Sequence, residues 1–249
     1  RVDHCTFSLR YPLWHVQGYE LIHSSLDELT RAPIWYSHHG LIDSCDIQGI
    51  KILRECSDTI VSNCQIQSPE FGWFCQDISI KDSEIHSEYM LLHSQHVKID
   101  HLKFTGKYSF QYMHDLEITN SYLDTKDAFW HSSNVIVKDS VVKGEYLGWF
   151  SKNVTFINCQ IIGTQPLCYC ENLKLIDCEM IDCDLAFEYS DVQATIKGHV
   201  DSIKNVKSGT ITVDSVGEII NEDAVMDTNG QVIIRQAPIN NQSICQCCC

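Results

Sequence analysis

Apolar and polar residues alternate along this chain in a pattern that returns every 19 residues. The apolar or small positions Val154, Phe156, Cys159 and Ile161 return one repeat later as Leu173, Leu175, Cys178 and Met180. Alternation at a period of two predicts β-strands with one buried face. A fixed period sustained over many repeats is typical of a solenoid, in which each repeat forms one coil stacked on the last.

One small residue marks the repeat along most of the chain. The members of this column are Cys5, Ser24, Cys45, Cys64, Ser83, Leu102, Ser121, Ser140, Cys159 and Cys178. Every step is 19 residues except the step from Ser24 to Cys45, which is 21. Coils of equal length stack in register, so each strand is expected to pair in parallel with its equivalent in the next coil, about 4.8 Å away.

Three columns of turn-forming residues predict three corners in each coil. The first column contains Asn63, Asp82, His101, Asn120, Asp139, Asn158 and Asp177. The second contains Gly18, Asp58, Asp77, Asp115, Asn134, Asn153, Asn172 and Asp191, and the third contains Gly49, Gly106, Gly144 and Gly163. Asn, Asp and Gly adopt left-handed backbone angles more easily than other residues, so these columns indicate bends.

Three corners give an all-β coil of triangular section with three short strands. Parallel crossovers are right-handed in nearly all proteins, so we predict a right-handed parallel β-helix. A leucine-rich repeat is the alternative at this period. It requires a leucine-rich consensus and a helical return, and the sequence contains neither.

The repeat pattern divides the chain into three parts. Residues 1–191 are expected to form the coils, residues 192–235 a C-terminal β cap, and residues 236–249 a disordered Cys-rich tail. A solenoid needs a cap to shield its open end. Val2 already occupies the strand before Cys5, so the chain begins within a coil and leaves room for further coils before residue 1. The final CQCCC is interpreted as inert rather than as a lipidation or metal site.

The chain has 249 residues and a formal net charge of −15, from 33 acidic and 18 basic side chains. Nucleic-acid binding requires clustered Lys and Arg, so we expect no nucleic-acid partner. The sequence contains no run of about 20 apolar residues, so we expect no transmembrane segment.

The 14 cysteines of the chain fall largely into the inner columns of the repeat. Five stand at the small position, and Cys56, Cys75 and Cys170 follow 11 residues after it. Buried cysteine packs as a small apolar residue. We therefore predict free structural thiols rather than disulfides, and a cytoplasmic location.

The third strand of each coil carries all five tryptophans. Nine residues after the small position, or eleven in the stretched repeat, the column reads Trp14, Trp35, Arg54, Trp73, Leu92, Gln111, Trp130, Trp149, Cys168 and Phe187. The following column reads His15, Tyr36, Glu55, Phe74, His93, Tyr112, His131, Phe150, Tyr169 and Glu188. Adjacent residues of a strand face opposite ways, so one of these columns is expected to face solvent and the other the interior. We favour an exposed Trp column, because stacked indoles would crowd so narrow a coil.

An exposed aromatic column leads to two functional hypotheses. The first is a non-enzymatic scaffold that presents an aromatic face to a protein partner or to a second copy. The alternative is a carbohydrate-active protein in which the rings form a groove for neutral sugars. In both cases the candidate binding residues are Trp14, Trp35, Arg54, Trp73, Trp130, His131 and Trp149.

Candidates for catalysis are few in this sequence. Under the carbohydrate hypothesis they are the charged turn residues Arg31, Lys126, Asp127 and Glu145. Charges of both signs occur along these turns, which is more typical of solvated ion pairs than of an active site. The sequence contains no recognised nucleotide, metal or nucleophile motif, so we expect no cofactor, no metal and no catalytic residue.

Over residues 2 to about 222 the chain resembles a mainly bacterial family known as domain of unknown function 3737. The resemblance rests on the segments Leu9–His15, Arg31–Ser37, Lys126–Ser132, Gly144–Trp149, Gln165–Cys170, Leu185–Ser190 and Ser208–Ile220. It implies a pectin-lyase-like β-helix and no established activity. Polysaccharide-cleaving proteins of that superfold use N-T-D, D-D and G-H-G strings, and none occurs in this sequence.

Overall fold

The computed structural model describes residues 1–235, and over these residues the chain forms β-strands and no helix. The strands stack in parallel as a right-handed β-solenoid of about 12 turns, with about 19 residues per turn. Val61, for example, pairs with Ile80, and Ile80 pairs with Ile99. The predicted fold class is confirmed. The predicted tail, residues 236–249, lies outside the described residues.

Each coil contributes to three walls. The first wall contains Val2–Asp3, Gln17–Ile22, His38–Asp43, Ser57–Ser62, His114–Thr119, Ser133–Lys138 and Lys152–Ile157. The second wall contains Thr6–Phe7, Ser25–Leu26, Asp46–Gln48, Gln65–Gln67, Tyr122–Asp124, Val141–Lys143 and Gln160–Ile162. Both walls belong to one 20-stranded sheet, because Gln76–Ser87, Gln95–Gly106 and Glu171–Ile181 run around the corner between them. The third wall is a five-stranded sheet of Leu13–Trp14, Ile34–Trp35, Ile52–Arg54, Glu70–Trp73 and Tyr89–Met90.

The last coils differ from the rest in length. Asp191–Lys197, Ser208–Val213 and Gln231–Ile234 continue the first wall in parallel. Their pairings no longer keep the constant step of the earlier coils. His199–Lys204 and Ser215–Ile220 form a separate two-stranded parallel sheet. Within residues 1–235 no helix has the length and apolar character needed to cross a membrane.

Left-handed backbone angles occur at the polar corner columns, as their composition predicts. In the first column φ is 53° at Asn63 and 47° at Asp82. In the second column φ is 50° at Asp58 and 53° at Asp77. The backbone pairing between neighbouring coils skips both residues. Asp191 departs from this pattern, because it begins a strand without a left-handed angle.

The glycine corner is required by close backbone contact between coils. Gly144 has a φ of 156°, and a Cβ atom there would lie 1.4 Å from the carbonyl oxygen of Thr125 in the coil below. Gly106 lacks a left-handed angle, yet its Cβ would lie 1.8 Å from the carbonyl oxygen of Ser87. Any side chain at these positions would push neighbouring coils apart.

The small-residue column satisfies backbone groups at the corner between the first two walls. Ser121 Oγ accepts a hydrogen bond from the amide of Leu102 at 3.0 Å and donates one to the carbonyl of Thr119 at 2.7 Å. Cys159 Sγ lies 3.3 Å from the carbonyl oxygen of Val137 in the coil below. Such contacts matter because a buried amide or carbonyl without a partner is costly.

The cysteines behave as the sequence predicts over the described residues. All ten cysteines of residues 1–235 are free thiols, and nine of them are buried. Burial raises the pKa of Cys170 to about 11 and that of Cys183 to about 12. These thiols therefore stay protonated at neutral pH and pack as small apolar groups.

One continuous apolar core fills the space between the walls. Val154, Phe156, Cys159 and Ile161 are each no more than 2% exposed, which confirms their predicted inward register. Adjacent coils stack these residues on their equivalents, so the core has no boundary within the solenoid. Its stability therefore depends on every coil contributing apolar side chains of similar shape.

Ile161→Asp is expected to lower the free energy of unfolding by more than about 4 kcal/mol, because a carboxylate would be buried without a cationic partner. Thermal unfolding followed by circular dichroism measures the change. Ile176→Asp is the matched control, since Ile176 lies in the next coil and is 44% exposed, and it should melt near the wild type. Equal melting of both variants would contradict the inward register of Ile161.

Candidate functional site

The third wall carries the aromatic columns, and its backbone is unlike that of the other walls. Left-handed angles occur in the column before the tryptophans, where φ is 57° at Leu53 and 64° at Phe129. They also occur in the column after the tryptophans, where φ is 51° at Glu55 and 56° at His131. From Tyr108 onwards turns replace the short strands of this wall.

These angles change which side chains face solvent. Leu53 and Phe129, in the column before the tryptophans, are fully buried. Trp130 is half-buried, and His131 after it is exposed. Alternation of inward and outward side chains holds only for extended residues, and a left-handed residue breaks it. The expectation that only one of the two aromatic columns faces solvent is therefore wrong. Both lie on the outer surface, side by side, except at Cys168 and Phe187, which are buried.

The column after the tryptophans forms a continuous stack of rings, which we call the aromatic ladder. Its members are Phe74, His93, Tyr112, His131, Phe150 and Tyr169. Neighbouring ring centroids are 4.6 to 5.4 Å apart and the ring planes are within 16° of parallel. Each inner ring has a neighbour on both faces, so the ladder presents mainly ring edges to solvent.

The tryptophan column is divided into smaller groups. Trp130 stacks on Trp149 with a centroid distance of 5.5 Å and an interplanar angle of 7°. The guanidinium of Arg54 lies between Trp35 and Trp73, 5.3 and 5.4 Å from their ring centroids. Leu92 and Gln111 separate the two groups, and Trp14 at the first coil is 53% exposed.

Three of the tryptophans are also held by hydrogen bonds to the neighbouring coil. The indole nitrogen of Trp130 donates to the carbonyl of Tyr146 at 2.6 Å, and that of Trp149 donates to the carbonyl of Gln165 at 2.8 Å. Trp73 makes the same contact with Tyr89 at 2.9 Å. These side chains therefore brace the turns of the third wall as well as forming its surface.

The two outward columns of the third wall carry almost no charge. We define the aromatic face as the outward residues Trp14–His15, Trp35–Tyr36, Arg54–Glu55, Trp73–Phe74, Leu92–His93, Gln111–Tyr112, Trp130–His131, Trp149–Phe150 and Tyr169. Of the 33 acidic residues in the chain only Glu55 belongs to it. Glu55 lies beside Arg54, with 3.6 Å between Oε1 and Nε. The rest of the surface carries the negative charge.

The candidate catalytic residues do not form one group. Lys126 Nζ is 2.7 Å from Glu145 Oε2, and the two side chains pair at the exposed edge of the wall. Asp127 is buried beside them, and burial raises the pKa of its carboxyl group. Arg31 lies five coils away, a distance of about 24 Å at the spacing of parallel strands. Only Lys126, Asp127 and Glu145 are therefore neighbours.

One group of possible metal ligands occurs among the described residues. Asp3 Oδ1 lies 2.6 Å from His4 Nδ1 and 3.2 Å from His23 Nδ1 at the first coil. The other carboxylate oxygen of Asp3 accepts a hydrogen bond from Arg1 at 3.0 Å. Both histidines are exposed, and the group lies on the corner between the first two walls, away from the aromatic face.

The family model described as "Protein of unknown function (DUF3737)" matches residues 1–234. The chain belongs to this family. No curated protein and no solved structure matches the chain. The resemblance drawn from the sequence is confirmed, and the description of the DUF3737 family assigns no activity.

Two features of this DUF3737 protein were not evident from its sequence. The aromatic ladder was visible as a column of rings, but its exposure depends on left-handed angles at residue types that give no turn signal. A groove of about 710 Å³ also runs along the first wall, beside the second corner column. There His96 bridges Asp77 and Asp115 at 3.3 and 3.4 Å. The groove is lined by aliphatic and polar side chains.

Asp127→Asn is expected to raise the melting temperature at pH 7. The pKa of the Asp127 carboxyl group is raised in the folded protein, so the protonated carboxyl group favours the folded state. This stabilisation is complete below the pKa of about 3.9 in the unfolded chain, and it is lost as the pH rises through the higher pKa of the folded protein. The amide removes the cost of ionising a buried carboxyl group. Melting curves between pH 3 and pH 8 measure the effect, and the difference from wild type should vanish at the acid end.

The control for this substitution is Asp82→Asn. Asp82 is exposed and has a left-handed φ of 47°, close to the 53° of Asp127, so the change from Asp to Asn is matched in backbone geometry. It should show no comparable stabilisation at neutral pH. A lower melting temperature for Asp127→Asn at pH 7 would show instead that the carboxylate is stabilised where it lies.

Proposed function

We propose that this protein is a non-enzymatic β-helix scaffold that associates with a second copy of itself through the aromatic face. The observation that carries the proposal is a tall, nearly uncharged aromatic surface on a chain with a net charge of −15. Exposed apolar surfaces of this kind on soluble proteins are typical of interaction sites. Phe74 and Phe150 are both exposed within it.

Charge restricts the approach of a second copy to the aromatic face. Two molecules that each carry −15 repel one another over most of their surfaces. At the aromatic face the only formal charges are those of Arg54 and Glu55, which offset each other. Two copies can therefore approach along the aromatic face without placing many carboxylates against carboxylates.

The geometry of the rings favours contact with protein rather than with sugar. A sugar binds an aromatic side chain by lying flat on an open ring face. The inner rings of the aromatic ladder have both faces occupied by their neighbours, and Trp130 and Trp149 cover one face of each other. The exposed edges instead suit edge-to-face contacts with the rings of another molecule.

The size of the face predicts weak association. The nine coils of the face give it a height of about 38 Å, and the two columns with their borders give it a width of about 13 Å. The interface would therefore bury about 1,000 Å², counted over both partners. That area is at the lower limit for a specific complex. A symmetric dimer, with the ladder of one copy packed against that of the other, uses the whole face.

The environment we propose is the reducing cytoplasm. Nine buried thiols and no disulfide within residues 1–235 support it, because stacked free cysteines persist where thiols are kept reduced. The candidate catalytic residues add no support for an enzyme. Lys126 and Glu145 neutralise one another, and Arg31 is remote from both.

Tyr112→Glu is expected to reduce self-association, because it places a carboxylate at the centre of the aromatic face in both copies. Sedimentation velocity over micromolar to near-millimolar protein should show a concentration-dependent dimer for wild type and a monomer for the variant. Tyr122→Glu is the matched control on the second wall. Tyr112 is 41% exposed and Tyr122 is 42% exposed, so the two changes add the same charge at equally exposed sites.

A wild-type protein that stays monomeric across that range would overturn the proposal. Equal loss of the dimer in both variants would also count against it, because the effect would then follow from charge alone and not from the face.

A thermal-shift screen against neutral oligosaccharides is expected to show no change in melting temperature. The physical reason is that the inner rings offer no free face for stacking. A saturable upward shift with one sugar, lost in Trp130→Ala, would instead support the carbohydrate-binding alternative. Tyr122→Ala on the second wall controls for the loss of an exposed ring elsewhere.

A further inference from the structure

An aspartate precedes the corner between the first two walls in three of the coils, as Asp3, Asp43 and Asp100. At Asp43 the coil above supplies two neutral donors to Oδ1, the hydroxyl of Ser62 at 2.5 Å and the side-chain amide of Asn63 at 2.8 Å. A hydroxyl and an amide reach Oδ1 of Asp100 in the same way, both at 2.8 Å. Carboxylates at this corner are therefore held by neutral hydrogen-bond donors of the next coil.

The first coil departs from this arrangement. The two positions above Asp3 are occupied by Ile22, which has no side-chain donor, and by His23. His23 Nδ1 lies 3.2 Å from Asp3 Oδ1, and His4 Nδ1 lies 2.6 Å from the same oxygen. A ring nitrogen differs from a hydroxyl or an amide nitrogen, because in neutral histidine it can offer a lone pair to a metal ion instead of a proton.

The three ligand atoms converge on one point. They all lie within 4.8 Å of one another, and within residues 1–235 no other group of three such side chains does so. Metal–ligand bonds of about 2.0 to 2.1 Å place neighbouring ligand atoms about 2.9 to 3.4 Å apart. The observed separations of 2.6 and 3.2 Å from Asp3 Oδ1 differ from that range by a few tenths of an ångström. Both histidines are exposed, so water can complete the coordination.

The charges around this corner favour a cation. The guanidinium of Arg1 donates to the other oxygen of Asp3, Oδ2, at 3.0 Å, which leaves Oδ1 directed at the two rings. Arg1 Nε also lies 3.7 Å from the carboxylate of Glu20, which offsets the charge of the guanidinium. The negative charge of Asp3 therefore remains available to an ion bound at Oδ1.

We propose that Asp3, His4 and His23 bind one divalent transition-metal ion of the zinc class, with Asp3 Oδ1 and both Nδ1 atoms as ligands. Imidazole nitrogen with a single carboxylate suits zinc, nickel and copper, whereas calcium and magnesium prefer oxygen ligands alone. The ion connects the first coil to the second. These residues form no sequence motif, because His23 becomes a neighbour of Asp3 only when the coils stack. The site is separate from the aromatic face.

Isothermal titration calorimetry with Zn²⁺ at neutral pH tests the proposal. The four cysteines after residue 244 are replaced by serine in every protein used, so that their thiols do not take up zinc. We expect saturable binding of one Zn²⁺ per chain, a rise in melting temperature with added Zn²⁺, and no binding of Mg²⁺. Absence of saturable Zn²⁺ binding would overturn the proposal.

His23→Asn removes one ligand and keeps the corner intact. Asparagine occupies the equivalent position at Asn63, where it has a φ of 53° and donates to Asp43 at 2.8 Å, so it suits the left-handed angle of 45° at His23. The variant should fold like the background protein and bind Zn²⁺ at least about tenfold more weakly. If the histidines served only as hydrogen-bond partners of Asp3, zinc binding would not change.

The matched control is His101→Asn at the same corner. His101 Nδ1 lies 2.9 Å from Asp100 Oδ2, and the side chains of His101 and His23 are 57% and 50% exposed. Only one ring approaches Asp100, so this variant should bind Zn²⁺ like the background protein. Circular dichroism shows whether each variant is folded. Equal loss of zinc binding in both variants, or full binding by folded His23→Asn, would contradict the inference.

Discussion

Parallel backbone pairing between equal coils is the constraint on which the rest of this structure depends. It places every residue directly above and below its own equivalents, about 4.8 Å away. Each position of the repeat thus becomes a column, and a column is stable only if its members tolerate one another at that distance. Charged columns meet this condition by alternating sign, as in the pairs Lys103–Glu84 and Lys143–Asp124.

The corners are where this constraint is hardest to satisfy. A chain that turns three times in each coil must interrupt the backbone hydrogen bonding between coils. Buried amides at these interruptions need other hydrogen-bond partners. Hydroxyl groups such as that of Ser121 supply them, and cysteine thiols contact carbonyls at the same positions. Asn, Asp and Gly supply the left-handed angles. The repeat therefore needs small polar residues at the corners as much as it needs apolar residues inside.

The third wall meets the constraint in a different way. Left-handed angles at Phe110, Tyr112 and Phe129 are unfavourable for such residues by about 1 to 2 kcal/mol each. Stacking of aromatic rings contributes about 0.5 to 1.5 kcal/mol per pair, which offsets much of that cost. The aromatic face is accordingly a consequence of how this wall folds. Its two outward columns provide the surface proposed for self-association.

The period of the sequence was sufficient to predict the solenoid, the parallel register, the inward position of Ile161 and the corners at Asn63 and Asp58. These features are local or repeat at a fixed step, so the pattern of residue types contains them. The exposure of His131 beside Trp130 was not predictable, because no residue in that column is a turn former and strand alternation indicates the opposite. The pairing of Lys126 with Glu145, by contrast, follows from their separation of one 19-residue repeat. In the third wall the sequence determines which residues form each column, whereas the direction each column faces is decided by backbone angles that only the packed coils impose.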